Sequence, residues 1–182
     1  MSQKCYKENI IEILLKGENH VRGISKALNI NQMSISRRLK ELYSENIVDF
    51  RLSGKNKVFF LKKNFESMQH IYITELHKTI NIIKKYPGLR IIFEKIRKNK
   101  KIKLAILFGS YARKAAGKES DIDIYIESTD KKIKSEIADI NTKLNVKIGG
   151  YDKENLLIKE ILKNHIIIKG VEEYYEKNKF FE

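Results

Sequence analysis

One stretch of the chain, LAILFGSYARKAAGKESDIDIYIES at positions 104–128, constrains the fold more than any other. Its apolar opening, residues 104–108, predicts a buried strand that runs directly into Gly109-Ser110. The alternating run from Asp121 to Glu127 predicts a second strand with one buried face. Helical patterns surround both strands, so the sequence predicts a sheet covered by helices.

The polar residues of this stretch are suited to phosphate and metal chemistry. Gly109 lets the backbone approach a triphosphate closely, and Ser110 can donate a hydrogen bond to it. Asp121 and Asp123 are two positions apart on a strand, so both face one side, about 6.6 Å apart along it. Two carboxylates on one face can hold Mg²⁺ against substrate phosphates.

The order of these residues resembles the polymerase-beta-like nucleotidyltransferase signature, in which a strand leads into Gly-Ser and an Asp-hydrophobic-Asp pair follows on the next strand. The resemblance implies a domain that binds Mg²⁺ and ATP or another NTP, with Asp121 and Asp123 as catalytic and metal-binding residues. The implied nucleotide-binding residues are Gly109, Ser110, Arg113 and Lys118.

The next predicted strand, Asn145 to Tyr151, departs from the family pattern. Members that catalyse usually present a third carboxylate there, and in this chain Lys147 stands where the acid is expected, facing the same pocket. A protonated lysine neither ligates a metal nor accepts a proton from an attacking hydroxyl. Two alternatives remain: an enzyme that activates its acceptor in another way, or a domain that binds nucleotide and metal without turnover.

The amino-terminal third predicts three short helices followed by a hairpin. The helices are expected at Lys4–Leu15, Val21–Leu28 and Gln32 to about Asn46, and the strands at Ile47–Leu52 and Lys57–Leu61. Asn31 can cap the third helix, and Ser53-Gly54-Lys55-Asn56 suits the hairpin turn. This is the order of elements in a winged helix.

This region resembles the recognition helix and wing of prokaryotic winged-helix regulators, which implies binding to double-stranded DNA. The third helix would enter the major groove, and the hairpin lysines would meet phosphates. The expected DNA-binding residues are Gln32, Ser34, Ser36, Arg37, Lys40, Lys55 and Lys57. A module of this kind can also make protein contacts, with its basic residues only solvating the surface.

The charge distribution favours a polyanionic partner for the amino-terminal part. The whole chain has a formal net charge of +14, and residues 1–63 hold 13 basic and 6 acidic side chains. Residues 101–182, in contrast, hold 16 basic and 14 acidic side chains. A local excess of this kind attracts nucleic acid before any specific contact forms.

The domain organisation follows from these patterns. The expected class is α+β: a three-helix winged helix-turn-helix domain over 1–63, a long linker helix over 64–88, and a small mixed α/β nucleotidyltransferase domain over 89–182. Pro87-Gly88 ends the linker helix. Residues 65–86 either form the seam of a homodimer or fold back on their own domain.

The sequence also argues against several classes of protein. No apolar run approaches the roughly 18 residues of a membrane-spanning helix, and no secretory signal pattern opens the chain. Cys5 is the single cysteine, so an internal disulfide is impossible and a cytoplasmic location is expected. The four histidines are scattered without the spacing of a zinc site, and His165 is expected to be a structural residue at the end of a strand.

Three functions are compatible with these features. The first is a DNA-binding protein with a domain that senses or transfers nucleotides. The second is an antitoxin-like nucleotidyltransferase that modifies a protein acceptor such as a toxin, with the winged helix docking that partner. The third is a catalytically inactive transcriptional regulator whose second domain supports a dimer.

Overall fold

A computed structural model describes residues 6–182, so Lys4 and Cys5 lie outside the described residues. The chain forms two compact units, divided between Thr74 and Glu75, with Phe180–Glu182 belonging to the first. The first unit is a winged helix and the second is a mixed α/β domain, which confirms the expected fold class. None of the helices in residues 6–182 is both long and apolar enough to cross a membrane.

The first unit contains the three predicted helices and the hairpin. Its elements are α1 (Lys7–Leu14), β1 (Asn19–His20), α2 (Val21–Leu28), α3 (Gln32–Ser44), β2 (Val48–Ser53) and β3 (Asn56–Leu61). The side chain of Asn31 accepts a 2.8 Å hydrogen bond from the backbone N–H of Ser34, which fixes the start of α3. Between α2 and α3, Asn29 adopts a left-handed conformation with φ of 53°.

The hairpin is extended to a three-stranded antiparallel sheet of order β1-β3-β2. Gly54 has a φ of +58° at the hairpin turn, where a residue without Cβ is favoured. The apolar core of this unit is formed by side chains of the three helices and of the start of the hairpin, all of them buried: Ile10, Ile11, Leu14, Ile24, Ile35, Leu39, Leu42, Ile47 and Val48. This core holds α3 with its polar face outward.

Helix α4 (Phe65–Lys85) is the predicted long helix, and its two ends belong to different units. Four of its apolar side chains are exposed: Phe65 by 68%, Ile73 by 49%, Leu76 by 47% and Ile80 by 51%. The buried positions are instead Ser67, Ile71, Thr74, Glu75, Lys78 and Ile82. The helix therefore buries a partly polar stripe and presents apolar side chains to solvent.

The second unit consists of a four-stranded sheet with helices on both faces. Its further elements are α5 (Leu89–Lys98), β4 (Ala105–Leu107), α6 (Gly109–Ala112), β5 (Ile122–Glu127), α7 (Lys131–Ala138), β6 (Leu144–Gly149), α8 (Leu156–Lys163), β7 (Ile166–Lys169) and α9 (Val171–Lys177). The strand order is β6-β5-β4-β7, and β5 with β6 is the parallel pair.

Alternation along β5 separates the core from the polar side of the sheet. Ile122, Ile124 and Ile126 belong to the hydrophobic core cluster that includes residues of α5 and α7. Asp123 lies on the opposite face, as does the buried Tyr125. The strand thereby fixes which direction the carboxylate of Asp123 points.

Candidate functional site

The sharp turn after β4 brings the backbone of Gly109 against the carboxylate of Asp123. Gly109 has a φ of +67°, and a Cβ built on it would lie 2.2 Å from Oδ2 of Asp123. The backbone N–H of Phe108 donates a 3.0 Å hydrogen bond to the carbonyl oxygen of Asp123. Position 109 therefore has no room for a side chain, and the Gly-Ser turn is adjacent to the carboxylate.

The two aspartates have different surroundings. Asp121 is exposed and immediately precedes β5, whereas Asp123 is half-buried inside the strand. The side chain of Asn145, on β6, donates a 2.8 Å hydrogen bond from Nδ2 to Oδ1 of Asp123. The parallel register places Asp123 directly opposite Asn145, so this contact is built into the sheet.

The prediction that Lys147 lies beside the aspartates is wrong. The residue of β6 opposite Asp123 is Asn145, two positions earlier in the strand. Strand β6 begins at Leu144 and is paired so that Lys147 lies opposite Tyr125, where its side chain is exposed. Asn145, one residue into the strand, is the side chain that contacts Asp123. The sequence did not point to Asn145, because a search for a third carboxylate does not consider an amide. Only the pairing of β6 with β5 shows that Asn145 lies opposite Asp123.

The other nucleotide-binding residues expected from the sequence follow this turn along the chain. Ser110 is half-buried in α6. Arg113 follows α6 and forms an exposed ion pair with Glu160, with 3.7 Å between Nη1 and Oε1. Lys118 is exposed in the turn before β5, and its backbone carbonyl accepts a hydrogen bond from Lys143 Nζ. The guanidinium of Arg113 is thus paired with Glu160 rather than with the aspartates, and the contact at Lys118 involves only its backbone.

The carboxylates at this turn fit one divalent cation better than two. No group of three or more His, Cys, Asp or Glu side chains in residues 6–182 is placed to hold a metal ion. Mg²⁺ is commonly held by one or two carboxylates together with the phosphates of its substrate. Asp121 and Asp123 could serve as such carboxylates, but no third acid joins them within residues 6–182, as a two-metal site would need.

The winged helix carries a second candidate site, a groove of about 670 Å³ between α3 and the β2–β3 hairpin. Its lining consists of His20, Val21, Arg22, Gln32, Ser36, Leu39, Lys40, Tyr43, Phe50, Lys55, Asn56, Lys57 and Phe59. Four of these side chains are cationic and none is acidic. The groove is therefore suited to a polyanion.

Aromatic side chains form one wall of this groove. The rings of Tyr43 and Phe50 lie 5.6 Å apart, and those of Phe50 and Phe59 lie 5.7 Å apart. Nζ of Lys57 lies 3.8 Å from the centre of the Phe50 ring, which holds this cation at the edge of the groove. The aromatic wall thus orients a lysine that the sequence assigns to phosphate contact.

Other cations of the first unit are neutralised away from the groove. Arg51 forms an ion pair and a hydrogen bond with Glu18, and this hydrogen bond lowers the pKa of the Glu18 carboxyl below its ordinary value. Nη1 of Arg38 lies 2.5 Å from Oε2 of Glu41. The positive charge of the groove is therefore not offset by these acids.

The residues expected to read DNA occupy the exposed side of α3. A depression of about 480 Å³ is lined by Val21, Gln32, Met33, Ser36, Arg37 and Lys40. Ser34 lies on the flank, where its backbone N–H is engaged by the cap. The structure adds His20 and Arg22 to the lining of the groove between α3 and the hairpin. Sequence reasoning missed them because His20 precedes α2 and Arg22 lies at its start, not on α3.

His165 and several buried tyrosines of the second unit have structural contacts. Tyr174 and Tyr175 are buried, and the hydroxyl of Tyr175 donates a 2.9 Å hydrogen bond to Glu75 Oε1. His165 lies directly before β7, with Nδ1 3.0 Å from the carbonyl oxygen of Ile161. Burial raises the pKa of the Tyr125 and Tyr174 hydroxyls well above the usual range, so both stay protonated.

Comparisons with known proteins agree with this geometry. Residues 90–174 match the family model for polymerase beta nucleotidyltransferases, and residues 7–49 match that for bacterial regulatory proteins of the arsR family. No protein of curated function matches the chain. Among solved structures, it is similar to the homodimeric winged helix-turn-helix DNA-binding domain (fragment 1–100) of Mb0332 from Mycobacterium bovis, a possible ArsR-family transcriptional regulator. That match has 20% identity and a TM-score of 0.36, and covers 45% of this chain and 72% of the other. The two family matches confirm the resemblances inferred from the sequence.

Proposed function

We propose that this chain, in which an ArsR-like winged helix precedes a polymerase-beta-like nucleotidyltransferase domain, is a DNA-binding regulator whose second unit binds Mg²⁺ and a nucleoside triphosphate. The observation that carries the DNA-binding part is the acid-free basic groove between α3 and the hairpin. Specific recognition requires both positioning on phosphates and contacts to base edges, and this surface offers both.

Base reading is assigned to the exposed face of α3. Gln32, Ser36 and Arg37 line the depression at its amino-terminal half, where a recognition helix enters the major groove. Arginine can make paired hydrogen bonds to guanine, and short polar side chains allow the helix to approach closely. Lys40, Lys55 and Lys57 would contact phosphates on either side of the groove.

Nucleotide binding is assigned to the turn after β4. The backbone at Gly109 and Ser110 would approach the phosphates, and Asp121 with Asp123 would hold the Mg²⁺ that they carry. The cation supplies charge neutralisation for the phosphates. Arg113, after leaving Glu160, and Lys118, whose contact involves only its backbone carbonyl, would add positive charge. ATP is the simplest probe of this site.

Transfer of a nucleotidyl group to a protein partner, as in antitoxin-like enzymes of this fold, is the second candidate function. The close approach of Gly109 to Asp123 supports it, because such a reaction needs a phosphate-binding turn beside a metal-binding carboxylate. The absence of a third acid beside them in residues 6–182 weighs against turnover. We therefore rank nucleotide binding above transfer.

A homodimer through α4 completes the proposal. Phe65 and Ile73 are exposed in the part of α4 that belongs to the first unit, and Leu76 and Ile80 in the part that belongs to the second. Apolar residues exposed along a helix of 21 residues favour a helical partner. Two copies joined here would present two recognition helices to a two-fold DNA site.

The DNA-binding proposal is tested by measuring binding of the full chain to duplex DNA over a range of salt concentrations. Replacing Arg37 and Lys40 with alanine should weaken binding and reduce the slope of log K against log salt by up to about two units. The matched control replaces Lys16 and Lys26, two exposed lysines outside the groove. If both double variants behave like the wild type, α3 does not read DNA.

A further inference from the structure

We infer that Asn145 restricts the nucleotide site to a single divalent cation, the one that arrives with the nucleotide. The inference rests on the proposed nucleotide binding and specifies how that site works. It starts from the 2.8 Å hydrogen bond between Nδ2 of Asn145 and Oδ1 of Asp123. Both residues are half-buried and face each other across the parallel pair of β5 and β6.

The chemistry of the two groups fixes the direction of this hydrogen bond. An ionised carboxylate only accepts hydrogen bonds, so the amide must turn its NH₂ group, not its oxygen, toward Asp123. The other carboxylate oxygen of Asp123 lies against Gly109, within 2.2 Å of where a Cβ would be. One oxygen of Asp123 is thus engaged by Asn145, and the other faces the turn assigned to the phosphates.

A carboxylate at position 145 would behave differently. Two ionised acids at hydrogen-bonding distance repel each other, and either a shared proton or a bridging cation relieves that repulsion. The neutral amide satisfies Asp123 directly, so this side of the site is assembled without a bridging metal. The same amide adds no negative charge for a second Mg²⁺, which prefers carboxylate and phosphate oxygens.

The consequence for function is a site that binds a nucleotide and retains it unchanged. In two-metal transfer, the second cation stabilises the attacking oxygen, and a nearby base takes its proton. An amide cannot take up that proton at neutral pH. Asn145 is therefore a positioning residue: its hydrogen bond orients Asp123 toward the cation that arrives with the nucleotide. Because it is an amide, it offers no carboxylate to bind a second cation.

The test counts bound cations on the full chain by Mn²⁺ electron paramagnetic resonance, with a non-hydrolysable ATP analogue present. We expect one Mn²⁺ per chain for the wild type and two for Asn145→Asp. Lys147→Asp is the matched control, because it adds an acid on the same strand opposite Tyr125, away from the contact with Asp123. That variant should still bind one. Two ions on the wild type, or one on Asn145→Asp, would overturn the inference.

A second measurement needs no nucleotide. Without metal, Asn145→Asp loses the hydrogen bond and gains a like-charge contact, so its melting temperature should fall by about 5 °C. Mn²⁺ should restore most of that loss, while the wild type should melt at nearly the same temperature with and without Mn²⁺. An Asn145→Asp variant indifferent to Mn²⁺ contradicts the role of Asn145. Failure of every protein to bind the ATP analogue would instead overturn the proposed nucleotide binding and leave the melting result to decide on Asn145.

Discussion

The amide of Asn145 and the carboxylate of Asp123 form a 2.8 Å hydrogen bond across the parallel strands β5 and β6. This contact replaces the arrangement expected from the sequence, in which Lys147 faced the two aspartates. A lysine there would have offered a positive charge, whereas the amide offers a neutral donor. The residue opposite Asp123 on β6 is therefore a neutral amide, neither a cation nor a third acid.

Replacing Gly109 with alanine should disrupt the nucleotide site directly. The new Cβ would lie 2.2 Å from Oδ2 of Asp123, and the φ of +67° is unfavourable for alanine. We expect a loss of at least about tenfold in affinity for Mg-ATP and a destabilisation of about 1–3 kcal/mol. Calorimetry and urea unfolding measure these quantities.

Gly117→Ala provides the matched control for that substitution. Gly117 has open space where its Cβ would be and lies in the turn before β5. This variant should bind Mg-ATP like the wild type. Equal affinities for Gly109→Ala and Gly117→Ala would show that the phosphates do not approach the turn after β4.

The sequence predicted the existence and type of nearly every element because hydrophobic periodicity is a local property. Helix α2 has the predicted ends, and Asn31 caps α3 as expected. Strand β1 was missed, since two residues cannot show alternation, and Asn19 becomes a strand residue only by pairing with Phe59. Local patterns therefore recover elements, but not pairings between distant segments.

The features of the candidate sites that the sequence missed depend on tertiary structure. The contact of Asn145 with Asp123 needs the register of β6 against β5. The buried side of α4 includes the charged residues Glu75 and Lys78. A search for apolar periodicity cannot identify charged residues as buried. Their burial depends on pairing with each other and with Tyr175, a residue far along the chain.

That buried ion pair leads to a prediction about stability. Oε1 of Glu75 accepts hydrogen bonds from Lys78 Nζ at 3.0 Å and from the Tyr175 hydroxyl at 2.9 Å, and Glu75 is only 1% exposed. Glu75→Ala would leave Lys78 buried without its counter-charge, at a cost of about 3–5 kcal/mol in the free energy of unfolding.

A paired replacement separates the ion pair from simple loss of packing. Glu75→Leu together with Lys78→Met removes both charges and keeps most of the volume, so it should unfold much closer to the wild type. Urea unfolding of the full chain measures both variants. If the double variant is as unstable as Glu75→Ala, the charges do not determine the stability of this segment.

The exposed apolar face of α4 predicts a dimer that a single charge can dissociate. Leu76 is 47% exposed, and glutamate at this position would place a charge in the seam of two helices. Sedimentation should show a dimeric wild type and a Leu76→Glu variant shifted toward monomer. Thr142→Glu adds the same charge at an exposed position outside α4, in the turn before β6, and should remain dimeric. A monomeric wild type at micromolar concentration would contradict the proposed dimer.

The central claim, that the second unit binds Mg²⁺ and a nucleotide at Gly109, Asp121 and Asp123, is tested most directly by calorimetric titration of the full chain with ATP in the presence of Mg²⁺. The account predicts saturable binding by the wild type and by Asp139→Asn, which neutralises an exposed carboxylate at the end of α7. It predicts a loss of at least about tenfold in affinity when Asp121→Asn and Asp123→Asn are combined, because the cation would lose both protein carboxylates. Equal binding by the double variant and the wild type would contradict the account.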